Sequence, residues 1–248
     1  MKSNPVLRES LDIYFVEGHG FAVYFYILVI LAPVEFLSLY LPSLDAQMWS
    51  GSASLFKVTA VTALLLTIYF AMRVANQEFA SWRFRTLKRW HRENGQPMAA
   101  IAQAQLTFLS LHVALSVLLC APLLIWAAGI ARTPISTVAL TFGLLFFYAW
   151  GYATWGLFAL TLWERRAESR QVFIRSFFFT LTILSLLVYL PLNPVAFLLA
   201  ILSRQEYPVL SIAGYQWHAG TIHFFVHLLF IGSALLAYHW ALRRELGQ

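Results

Sequence analysis

"LFKVTAVTALLLTIYFAMRVANQEFASWRFRTLKRWHRENGQP", residues 55–97, passes without a linker from an almost pure hydrocarbon run into a basic, aromatic segment. The first part, Leu55 to Ala75, has the length of a membrane crossing, since about 20 mostly apolar residues span the hydrocarbon core as a helix. The second part carries Arg83, Arg85, Lys88, Arg89 and Arg92 together with Phe79, Trp82, Phe84 and Trp90. It is too polar to cross, and another long apolar run begins near Ala99. A chain that leaves the bilayer over 76–98 and then re-enters it crosses the membrane more than once.

The composition points the same way. Of 248 residues, 60% are hydrophobic and 11% charged, whereas a soluble domain carries about 25% charge. A soluble globular chain is excluded. The net charge of +6 would suggest nucleic acid in a soluble protein; here it fits loops that face anionic membrane lipids, and no nucleic-acid partner is expected. Cys120 is the single cysteine and lies in an apolar run, so neither an intramolecular disulfide nor a thiol metal site is implied. The first apolar run begins near Phe21, after Glu9, Asp12 and Glu17. No small-residue cleavage site follows it, so no cleavable signal peptide is expected.

Six runs are long enough to span: Phe21 to Leu41, Leu55 to Ala75, Ala99 to Ala128, Ile135 to Trp163, Ser176 to Leu190 and Thr221 to Leu242. The third and fourth exceed the bilayer and must tilt or project from it. The fifth is broken by "PLNP", Pro191 to Pro194, and is followed by "VAFLLAILS", 195–203. Nine helical residues rise only about 13 Å. That predicts a short helix dipping into the outer face, sheltered by protein because unpaired backbone is not tolerated against lipid.

Orientation follows from the cations. Lys2 and Arg8, the six from Arg73 to Arg92, then Arg165, Arg166, Arg170, Arg175, Arg243 and Arg244 fall on one side of a six-span chain; Lys57, Arg132 and Arg204 fall on the other. The positive-inside rule makes the first side the cytoplasm, with both termini there and with loops 42–54, 129–134 and 204–220 outside. Phe79, Trp82, Leu87 and Trp90 then form a rough helical stripe on the cytoplasmic side. Two readings compete for it: a helix on the inner leaflet with its rings in the interface, or a docking surface for a partner protein, since Trp and Arg often anchor interfaces. "NPVLRESLDIYFVEG", 4–18, has Pro5 near a helix start and mixes apolar with charged residues, which predicts an interfacial helix over 1–20.

Motifs for nucleotide binding (GxxxxGK[ST]) and for common hydrolases (HExxH, CxxC, GxSxG) are missing. Glu35, in the outer third of the first span, is the clearest intramembrane charge. It reads either as a functional group or as a carboxylate at the outer interface. His223 and His227 share one face of the last span, and His112 lies deep in the third. They read as polar packing residues or, in an alternative function, as ligands of a membrane-embedded heme or redox centre. A lipid-modifying enzyme is a third possibility, but no loop carries an acidic or histidine motif for it.

The order of parts resembles the permease subunits of the type-2 class of ATP-binding-cassette (ABC) transporters. Asn4-Pro5-Val6-Leu7-Arg8-Glu9 is similar to that family's opening interfacial helix. Glu78 and the run from Arg83 follow the second span, Pro122 and Gly129 end the third, Gly156 precedes Arg165 and Arg166, and Asn193-Pro194 closes the fifth. The chain departs from the pattern after Glu78, where only Thr86-Leu87 remain of the usual Thr-containing pieces, and at "AQAQ", 102–105, where a Gly-Lys is usual. The resemblance implies an all-α membrane protein of one domain, 1–248, with six transmembrane helices, an N-terminal interfacial helix, a cytoplasmic coupling helix and a short re-entrant outer helix within 191–218. It further implies a transporter permease, most often an exporter, that works as a homodimer in a bacterial-type inner membrane and binds no cofactor itself. A separate ABC ATPase subunit would bind ATP. Residues 76–98 would dock that ATPase through the anchors Trp82, Phe84, Leu87 and Trp90 and the polar contacts Glu78, Arg83 and Arg85. Glu35, His112 and Asn193 are the polar candidates for a translocation path. The sequence does not name the substrate.

Overall fold

In the computed structural model, residues 4–40, 52–188, 193–203, 209–212 and 214–247 are described. Asn4 starts the first helix, α1 (Pro5–Leu11): its side-chain oxygen accepts from Val6 N–H, and Pro5 takes the first turn, where no N–H is needed. A π-helical turn (Asp12–Val16) continues α1, and Gly18, at φ +80°, turns the chain into α2 (Phe21–Tyr40). The other elements are α3 (Leu55–Ala75), α4 (Leu87–Arg92), α5 (Met98–Ile130), α6 (Ile135–Leu162), α7 (Ala167–Phe178), α8 (Ser185–Val188), α9 (Pro194–Leu202), β1 (Val209–Ile212), β2 (Tyr215–His218) and α10 (Ala219–Leu246).

Six helices are long and apolar enough to cross a membrane: α2, α3, α5, α6, the continuous run from α7 into α8, and α10. They form an all-α bundle around α3, which packs on α2, α5, α6, α7 and α9. Its most apolar window is 67% buried, against 17% for the fifth span. The tightest crossing is at Gly156 of α6, where an added Cβ would stand 2.6 Å from the Met72 carbonyl oxygen of α3. Small residues at such crossings let two helix backbones meet. The 33 residues of α5 rise about 50 Å, well beyond the hydrocarbon core. Its first turns carry α1: Asn4 Nδ2 donates to the Ala100 carbonyl at 2.7 Å, and Tyr14 packs on Phe108.

Three elements differ from the sequence-based expectation. The fifth span begins at Ala167, not near Ser176, because its first turns carry the polar residues Glu168, Arg170 and Arg175 and no hydropathy signal marks them. Within 76–97 only α4 is helical; Gln77, at φ +55°, and a run of turns separate it from α3. A two-stranded hairpin stands where the sequence predicts a loop, with Leu210 paired to Trp217 and Ile212 to Tyr215. The expected end of the fifth span at Leu190, the Pro191 break and most of the loops 42–54 and 204–208 lie outside the described residues. Past the break, Asn193 is extended and caps the nine-residue α9, accepting from Val195 and Ala196 N–H, while its Nδ2 donates to Thr182 O at 2.9 Å and to Ser185 Oγ at 2.8 Å.

Candidate functional site

Residues 76–97 are built into one end of the bundle, the end rich in cations, by contacts from every other segment that reaches it. From the N-terminal helix, Glu9 Oε2 accepts from Trp90 Nε1–H at 2.9 Å. Glu9 Oε1 lies 3.4 Å from Arg85 Nε, and the Arg85 guanidinium sits 4.9 Å above the Trp90 ring. Burial is the largest influence on the Glu9 carboxyl and raises its pKa, against the opposing Trp90 hydrogen bond and the Arg85 charge. Glu17 pairs through both oxygens with Arg83, at 2.8 Å to Nε. That hydrogen bond holds the exposed Glu17 carboxyl below its usual pKa. From the turn after α6, Glu164 Oε1 accepts from Leu87 N–H at 2.6 Å; burial raises the Glu164 pKa. From the end of α10, Glu245 pairs with Lys88 at 3.1 Å. Both ends of the chain therefore lie beside this segment.

The seven residues expected to meet a partner divide in two. Trp82 is 72% exposed, held edge-on by His19, and Arg83 and Arg85 are exposed beside it. Leu87 and Trp90 are buried in this chain's own core, Phe84 is half-buried against Tyr14, and the Glu78 side chain is covered. Glu78 Oε1 accepts from Arg73 Nη2 at 2.7 Å and lies 3.6 Å from Arg175 Nη2, tying the end of α3 to α7. The helical stripe correctly groups apolar residues on one side. It cannot say that Leu87 and Trp90 turn toward the bundle, because burial against self and burial against a partner leave the same pattern. The acidic members Glu9, Glu17 and Glu164 belong to no docking motif in the sequence; their scarcity among so many cations is the one signal that could have found them.

The polar residues inside the bundle do not converge. Glu35 is fully buried on α2, and neither carboxylate oxygen has a hydrogen-bond partner among the described residues. His112 of α5 bonds the Tyr24 hydroxyl of α2 at 3.0 Å. Asn193 is the cap of α9. His223 and His227 sit together, ring centroids 4.1 Å apart, where α10 meets α6 and α9. The Tyr148 hydroxyl bonds His223 Nε2 at 2.5 Å, Phe197 stacks on the same ring at 3.9 Å, and His227 Nδ1 bonds the His223 carbonyl. Among the described residues, no three histidine, cysteine or acidic side chains come close enough to hold a metal ion. The arrangement instead pins α10 to α6 and α9.

No family model, curated protein or solved structure matches this chain.

Proposed function

We propose that the chain is the membrane-spanning subunit of an ATP-driven transporter, with the cation-rich end in the cytoplasm and the 76–97 segment docked on a separate ABC ATPase. One observation carries this reading most directly. The segment is ion-paired and hydrogen-bonded to the N-terminal helix, to the α6–α7 turn and to the end of α10, yet it leaves Trp82, Arg83 and Arg85 exposed. A push on those three side chains reaches four elements at once, which is what a lever between an ATPase and a bundle requires. A tether lying on lipid needs no such bracing. The likeness to type-2 permeases in the order of parts supports the same assignment, together with a second copy across the translocation path and, on that likeness, export. The short helix α9, buried on α3 and α6, would be the re-entrant outer piece. The histidines give the redox alternative no support: Tyr148 takes one nitrogen of His223, Phe197 covers its face, and the His223 carbonyl takes one nitrogen of His227.

The test is co-purification from native membranes. A Walker-motif ATPase should accompany the wild-type chain. Trp82→Ala should weaken it about 30-fold, the equivalent of about 2 kcal/mol for a buried aromatic anchor, with membrane insertion intact. Full ATPase recovery with both Trp82→Ala and Arg83→Ala would mean that this surface is only an interfacial segment.

A further inference from the structure

Arg170, in the second turn of α7, is 5% exposed. Among the described residues no hydrogen bond or ion pair reaches its guanidinium, and its buried Nε has no partner. A buried charge left alone is costly, and arginine, unlike a carboxylate, cannot shed its charge by giving up a proton. The carboxylates that act on it through space are those of Glu164 and Glu78. Both are engaged elsewhere, Glu164 with the Leu87 N–H and Glu78 with Arg73 and Arg175.

Two further features lie within a turn of Arg170. α7 opens at Arg166 without a side-chain cap, so its first N–H groups form the positive end of a helix dipole. Helical side chains lean toward the N-terminus, which carries Arg170 over the turn holding Arg166, its exposed neighbour on the same face. Beside that turn runs a groove of about 500 Å³ lined by Trp163, Glu164, Arg165, Arg166, Arg244 and Glu245. Its two carboxylates are partly offset, Glu245 by Lys88 at 3.1 Å and Glu164 by its bond to Leu87 N–H, while the three arginines have no ion-pair partner among the described residues. Glu168, in the first turn of α7, is exposed.

We propose that the start of α7 seats a phosphate group, presented by the headgroup of an anionic lipid, with Arg170 as its buried counter-charge. Lipid is the source because the fifth span is the least covered of the six, so this groove opens at the border of the bilayer, where phosphates are permanent neighbours. This assignment goes beyond the transport reading and needs no ATPase to be tested.

The experiment is thermal unfolding of the full chain in detergent with phosphatidylglycerol, with phosphatidylcholine, or with inorganic phosphate alone. Wild type should gain melting temperature with phosphatidylglycerol and little with the other two. Arg170→Met, similar in volume and uncharged, should lose that gain and melt higher than wild type without lipid, because the uncompensated charge is gone. Arg92→Met, at an exposed site, should keep the gain. Equal gains in wild type and Arg170→Met, or a uniformly lower Arg170→Met, would overturn the proposal. An equal gain from inorganic phosphate would overturn the lipid source. If Arg170→Met fails to fold, native mass spectrometry of the wild type decides. Retention of phosphatidylglycerol over phosphatidylcholine after delipidation supports the site, and equal loss refutes it.

Discussion

Trp90 makes two contacts that depend on this chain alone, the bond to Glu9 and the stack under Arg85. Trp90→Ala should therefore cost about 3 kcal/mol of stability, the scale of a buried Trp truncation, read as a lower unfolding midpoint in detergent with no ATPase present. Trp82→Ala should leave that midpoint unchanged. The sequence shows both tryptophans on the basic segment and cannot separate their roles. The distinction lives in Glu9, which is 81 residues away along the chain. Glu9 and Glu164 also set a pH dependence. Burial raises both carboxyl pKa values, so folding favours their protonated forms; their contribution is full below the usual carboxylate range and is lost as pH rises through the raised folded values. The double variant Glu9→Gln, Glu164→Gln keeps an amide oxygen for Trp90 and for Leu87 N–H. Its melting temperature should change less than that of wild type over the pH range just above the usual carboxylate pKa. An unchanged slope would show that neither group carries the effect.

Between elements, the α3–α6 crossing is the most demanding contact in the bundle. Gly156→Leu should push these helices apart and cost about 2 kcal/mol or more, because the Met72 carbonyl leaves no room for a Cβ. Gly143→Ala, with nothing within 4 Å of the added carbon, is the control that should change nothing. The six spans are legible in the sequence because each is an apolar run longer than any loop, and hydrophobicity alone marks them. The capped α9 is legible from Asn193-Pro194, since a capping side chain followed by a residue without an N–H both ends one helix and starts another. The hairpin is not, because strands of four residues give too little alternation to stand out from a loop. The early start of the fifth span is hidden for the opposite reason: Arg170 and Glu168 look like loop residues, and only the packing of Ile174 and Phe173 on the core shows that they are helical.

At the scale of the whole molecule, the N-terminal helix, the 76–97 segment, the α6–α7 turn and the C-terminal end of α10 meet at one end of the bundle, and α9 and the hairpin flank the start of α10 at the other. The cation bias that assigns the first end to the cytoplasm is plain in the sequence, since it needs only residue counts per loop. The bracing of the basic segment is not, because its acidic partners come from separate parts of the chain. If the proposed arrangement holds, the exposed ring of Trp82 faces an ATPase; if the segment is a lipid anchor, the same ring lies in the headgroup layer. A photo-crosslinking amino acid placed at position 82 in native membranes separates the two. Docking predicts a covalent adduct with a nucleotide-binding chain that carries a Walker motif, diminished by Arg83→Ala. Crosslinks to lipid alone, unaffected by Arg83→Ala, would contradict the assignment.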